Sequence, residues 1–171
     1  TDNKLPILYG NAFTSGPIFD AAISNENQTM TYCIALSEET TTGTFSCGQV
    51  FMNDVELIFT GNTATSHRDP NQSANTTYAN KVRLNIYQGG SSGSDVIFPA
   101  SGTGSSTAAT SIVPHWGANV TANNMVFAVL QIDYDAESGL TGLPQMTFKM
   151  RNTLSNPGDV LHDYLTNDRY G

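Results

Sequence analysis

Two stretches of this chain alternate apolar and polar residues with a period of two, and a third is apolar almost throughout; together they predict strands. Val82, Leu84 and Ile86 fall on one face with Lys81, Arg83 and Asn85 on the other, and Met146, Phe148 and Met150 oppose Gln145, Thr147, Lys149 and Arg151. Each is expected to give a sheet one buried and one wet face. Residues 125–134 are apolar at nearly every position until their end, as a central strand covered on both sides should be. Residues 50–59 split at Asn53-Asp54, a pair that tolerates the positive φ angles of a tight hairpin turn. Residues 7–9 and 30–36 add further strands.

Two polar stretches, 61–80 and 88–110, are rich in Asn, Ser, Thr, Gly and Ala and nearly free of large apolar residues, so both are expected to be exposed loop excursions, the second close to a flexible linker in composition. Trp116 comes after the second and is expected to pin it back to the sheet. The fold class is therefore all-β, a sandwich or partly open barrel with long polar loops.

One short C-terminal α-helix completes it. Asn156 suits the N-cap, Pro157 the first helical position, and Asp159 the first turn, where the helix dipole favours negative charge. Val160, Leu161, Tyr164 and Leu165 then form an apolar stripe expected to pack onto something, with His162, Asp163 and Thr166 outward. The domain division is 1–154, a β-rich unit, and 155–171, a capped helix leading into a following segment. With no initiator Met at Thr1, the chain reads as a portion of a longer polypeptide.

The 171 residues carry fifteen Asp and Glu against seven Lys and Arg, a formal charge of −8. The few cations are scattered from Lys4 to Arg169, which argues against nucleic-acid binding, since phosphates require clustered positive charge. No run of eighteen apolar residues, leader or lipidation signal appears, so no membrane association is expected of this portion. Cys33 and Cys47 are expected to be thiols, a bridge across a hairpin being the alternative.

Candidate chemistry is sparse. Gly89-Gly-Ser-Ser-Gly93 fits the Gly-x-Ser-x-Gly hydrolase pattern, but Ser94-Asp-Val-Ile-Phe-Pro99 directly after it cannot readily start the helix a nucleophile elbow needs, and the motif reads as a loop. His67, His115 and His162 lack metal-ligand spacing. Asp133, Asp135 and Glu137 lack the Gly and bidentate Glu of a calcium loop and read as a solvated strand exit. The sequons at Asn27, Asn71, Asn75 and Asn119 read as coincidence in a chain rich in Asn and Thr. No catalytic residue, cofactor or metal is assigned.

The closing stretch, Asn156-Pro-Gly-Asp-Val-Leu-His-Asp-Tyr-Leu-Thr-Asn-Asp-Arg-Tyr-Gly171, closely resembles the Asn-Pro-x-x-x-Leu-x-Asp-Tyr-Leu-Thr-Asn-x-Arg-Tyr-Gly segment of the central tail hub, or tip attachment (host specificity) proteins, of lambda-like long-tailed bacteriophages. Further pieces are similar in the same order: Leu5-Pro-Ile-Leu-Tyr-Gly10, Tyr32-Cys-Ile-Ala-Leu-Ser-Glu38, Gln49-Val-Phe-Met-Asn-Asp-Val-Glu56, Arg83-Leu-Asn-Ile-Tyr-Gln-Gly89, and residues 127–150 with Tyr134-Asp135 and Gly142-Leu-Pro-Gln-Met-Thr-Phe148. The family's basic turn after Tyr-Gly is replaced here by Asn11-Ala-Phe-Thr-Ser-Gly16, so contacts made by that turn are not carried over.

The resemblance implies a non-enzymatic structural role: a homotrimeric hub closing the tail tube and joining it to receptor-binding fibre parts. Expected partners are identical copies and the distal tail and tail-tube proteins, with the tape measure protein a further candidate. The expected location is the virion tail tip, assembled in the host cytoplasm. Interface candidates are Val160, Leu161, Tyr164, Leu165, Tyr9 and Trp116. The alternative function is a secreted carbohydrate-binding β-sandwich module with ligand loops at 61–80 and 88–110, although Tyr78 is the sole aromatic in the first.

Overall fold

The computed structural model describes residues 4–69, 71, 73–89, 96–99, 107–117, 119–120 and 122–170. Their strands are β1 (Asn11–Thr14), β2 (Ile18–Ser24), β3 (Thr29–Glu38), β4 (Phe45–Met52), β5 (Val55–Thr60), β6 (Thr63–Arg68), β7 (Ala74–Asn75), β8 (Val82–Gln88), β9 (Val96–Phe98), β10 (Met125–Asp133) and β11 (Met146–Asn152). They form one antiparallel sheet, curled into a half-barrel, in the order β1-β11-β4-β5-β6-β8-β10-β3-β2, with β7 on β6 and β9 on β8. The helices are α1 (Ala109–Ile112) and α2 (Pro157–Thr166). The all-β reading with a capped C-terminal helix holds.

The period-two patterns place the core. Leu84 and Ile86 of β8, Leu130 and Ile132 of β10, and Phe148 and Met150 of β11 point into the curl with Leu36, Phe45, Met52 and Leu57, all buried. β10 lies between β8 and β3, and its alternate residues Phe127 and Val129 join Cys33 and Tyr87 in a second cluster on the outer face, covered by Ala109 and Val113. This double burial is why β10 is apolar almost throughout. Asn53 and Asp54 have φ of 50° and 65° and turn β4 into β5. Cys33 and Cys47 are both thiols, and burial pushes each up to about 12.

Several expectations are corrected. Residues 61–80 are not one loop: β6 and β7 lie within them, and the signal was weak because the residues β6 buries are Ala64 and His67 rather than large hydrophobes. Residues 88–110 contain β9 and the start of α1, while 90–95 and 100–106, with most of the Gly-x-Ser-x-Gly match, lie outside the described residues. Residues 7–9 make only a single parallel bridge, Ile7 to Glu38. Asn85 is not on a wet face but fully buried, because the segment around α1 covers that side of β8.

The two edge strands, β1 and β2, are consecutive in the chain and separated only by Ser15, Gly16 and Pro17. The Ala35 amide donates to the Pro17 carbonyl (2.9 Å), the Glu38 amide to the Pro6 carbonyl (2.7 Å), and the Leu8 amide to Ser37 Oγ (3.0 Å). The N-terminal segment is thus held to β3 on either side of the excursion in which β1 pairs with β11. Gly16 makes the return possible: its φ is +55°, and a Cβ there would lie 1.9 Å from the Ala35 carbonyl oxygen.

Candidate interaction surfaces

Helix α2 begins as its residues dictate. The Asn156 side chain accepts from the Gly158 amide at 2.9 Å, Pro157 occupies the first turn, and Asp159 lies beside it. What holds the helix to the sheet is not the apolar stripe. Asp163, expected to face outward, is buried at 4% exposure, and its carboxylate accepts from Tyr9 Oη (2.7 Å), Tyr170 Oη (2.5 Å) and the Thr41 amide (2.9 Å). Burial pushes this carboxyl up, but the hydrogen bonds from Thr41, Tyr170 and Tyr9 together outweigh it and hold the group down at about 2. Burial and the neighbouring Asp163 in turn raise Tyr170 above the ordinary phenol range.

Of the six interface candidates, Leu161, Tyr164 and Leu165 are 59%, 49% and 64% exposed, and Val160 is half-buried. Three of the four residues of the stripe expected to pack, Leu161, Tyr164 and Leu165, face solvent. The packed face is Val160, Asp163 and Asn167, spaced three and four apart, with a carboxylate in the middle. That spacing was the available signal for Asp163, and reading the position by polarity alone missed it. Tyr9 is brought to the helix through Asp163, while Tyr164 and Tyr170 approach to 6.2 Å between ring centroids. Arg169 closes the far end, donating to the Asn124 carbonyl (2.7 Å) and pairing with Glu38. His162 and Thr166 are exposed as read.

Trp116 belongs to a different part of the molecule. Its ring packs among Phe19 and Phe127, and Nε1 donates to Asp20 Oδ2 at 2.6 Å, fastening the segment after α1 to β2 as expected. His115 Nε2 lies 2.8 Å from the same oxygen. Burial raises the Asp20 carboxyl, but the Trp116, His115 and Ala21 contacts win and lower it. Asp20 gave no sequence signal, since its partners lie about a hundred residues away.

The strand exit after β10 is paired rather than merely solvated. Arg83 makes a two-pronged contact with Asp133, both bonds 2.7 Å, and Lys81 pairs with Asp135. The Arg83 bond, against an opposing burial effect, lowers the Asp133 carboxyl. Among the described residues no three His, Cys, Asp or Glu side chains gather as a metal site, and no helix is long and apolar enough to cross a membrane.

Of the exposed apolar residues absent from the expected interface, four lie on the edge strands, Phe13 (62%) on β1 and Ile18, Phe19 and Ile23 on β2, and two, Tyr134 and Leu143, lie between β10 and β11. Alternation signals a strand but not that it will be an edge, so their exposure was not legible. No protein family, curated protein or solved structure matches the chain.

Proposed function

We propose that this chain is a structural subunit of a bacteriophage tail tip, a hub module that closes the tail tube against identical copies and connects it to receptor-binding parts. The observation that carries the reading is the ordered series of hub-like segments ending in the Asn156–Gly171 signature. The surface is consistent with it. Leu161, Tyr164 and Leu165 make an apolar strip left uncovered by the chain's own sheet, and Phe13 and Ile23 lie on strand edges, where unpaired backbone groups invite another chain.

The test separates folding from assembly. Leu161→Asp changes an exposed residue and is expected to leave monomer stability within about 0.5 kcal/mol, as for other surface substitutions. In phage carrying it, electron microscopy is expected to show tails that fail to form. Normal tails would remove the helix from the interface. A full-length protein that stays monomeric by light scattering and binds glycans on an array would replace the hub reading with the carbohydrate-binding one.

A further inference from the structure

Four cations of this acidic chain are matched to carboxylates: Arg68 to Glu56, Lys81 to Asp135, Arg83 to Asp133 and Arg169 to Glu38. Of the three others, Lys4, Lys149 and Arg151, two line a single cleft. Lys149 and Arg151 alternate with the buried Met150 on β11, so both side chains stand on the outer face, beside Asn11 of β1 and Ser46, Cys47, Gly48 and Gln49 of β4. The cleft has a volume of about 310 Å³.

A bulge shapes it. Lys149 pairs with Gln49 and Met150 with Cys47, leaving Gly48 as an extra residue on β4. A Cβ on Gly48 would meet nothing nearer than the Lys149 carbonyl oxygen at 3.9 Å, so the absent side chain leaves room that a larger residue would fill.

The cations are arranged differently from those elsewhere in the molecule. Lys149 Nζ donates to Gln49 Oε1 at 3.0 Å and lies 5.9 Å from the centre of the Phe13 ring. Gln49 is itself fixed by its Nε2 donating to Glu56 Oε1 at 2.9 Å, and Glu56 already serves Arg68. The ammonium is therefore positioned by a neutral amide and an aromatic ring, and among the described residues no carboxylate lies within ion-pair distance of it. Among the described residues the Arg151 guanidinium has no hydrogen-bond or ion-pair partner. A planar guanidinium offers a two-pronged donor set and a neighbouring ammonium a point charge, the combination that recognises oxyanions.

We infer that the β1–β4–β11 cleft is a binding site for a small oxyanion, a carboxylate or phosphate group, gripped by Arg151 and Lys149 with Asn11 and Ser46 as neutral donors at its rim. The site does not depend on the tail-tip reading. At an exposed site two cations give weak binding, with Kd on the order of 1 mM at low salt, weakening as salt rises.

Backbone amide NMR of the 171-residue chain, titrated at low salt with inorganic phosphate and separately with citrate, tests it and distinguishes the two sources. Saturable shifts are expected at Asn11, residues 46–49 and residues 149–151. Arg151→Gln is expected to weaken the response about tenfold. Gly48→Val, which fills the floor without requiring positive φ, is expected to abolish it while the spectrum stays folded. Response to phosphate alone or to citrate alone supports the site and names the preferred group. No saturable shift with either anion, or shifts unchanged in both variants, would overturn the proposal.

Discussion

Asp163 occupies a position where an amphipathic helix would ordinarily present a leucine to its sheet, and it is tolerated there because three donors converge on it. Its folded carboxyl sits at about 2 against about 3.9 in an unfolded chain. The folded state thus binds the proton less readily, so this contribution is complete above about pH 4 and disappears as pH falls through about 2. Asp163→Asn is expected to cost about 2 kcal/mol at pH 7 and to flatten the acid limb between pH 4 and 2, both read by urea unfolding at the two pH values. Unchanged acid sensitivity would assign that limb to other carboxylates. Asn85 is the opposite case: fully buried, with neither amide atom partnered among the described residues. Asn85→Leu, similar in volume, removes an unsatisfied group and is expected to raise stability by about 1 kcal/mol. A loss instead would mean that the amide is satisfied in solution. Alternation put Asn85 on a polar face and polarity put Asp163 on the outside; each failed because burial was decided by a segment distant in sequence.

Strands and turns were more legible than their surroundings. The Asn53-Asp54 turn was readable because two residues at positive φ are needed between β4 and β5, and few side chains accept that conformation. Asp54→Gly relieves what cost remains and is expected to raise Tm by a few degrees, since ΔΔG values below about 1 kcal/mol move a domain of this size by that much. No rise would show that the φ of 65° at Asp54 carries no cost here. β8, β10 and β11 were readable because their inward residues are large and apolar. β6 was not, because Ala64 and His67 give no hydrophobic alternation. Helix α2 was legible in its cap and span but not in its orientation, since two overlapping faces, one through Val160 and Asp163 and one through Leu161 and Leu165, both fit a 3.6-residue repeat.

The molecule as a whole is a sheet whose first and last strands in spatial order are adjacent in sequence, and that arrangement concentrates the closure of the half-barrel at one residue. Gly16 carries the chain from β1 back onto β3 at φ +55°, against the Ala35 carbonyl. Any side chain there meets two penalties: left-handed backbone costs a non-glycine residue on the order of 1 kcal/mol, and a Cβ 1.9 Å from a backbone oxygen forces the strands apart. Displacement would break the bond from the Ala35 amide to the Pro17 carbonyl, the first that holds β2 to β3, and with it the seat of Trp116 on Asp20. β4, β5 and β11 lie on the other side of the curl, paired among themselves and packed about Phe148, and do not depend on that bond. Gly16→Ala is therefore expected to cost about 3 kcal/mol or more and to act unevenly. In hydrogen exchange, amides of β2 and of Cys33 to Ala35 should lose protection while those of β4 and β11 keep theirs. Uniform loss of protection along all strands would mean that the seam and the Phe148 core unfold as one cooperative unit, and an unchanged pattern would mean that the closure at Gly16 contributes nothing to the fold.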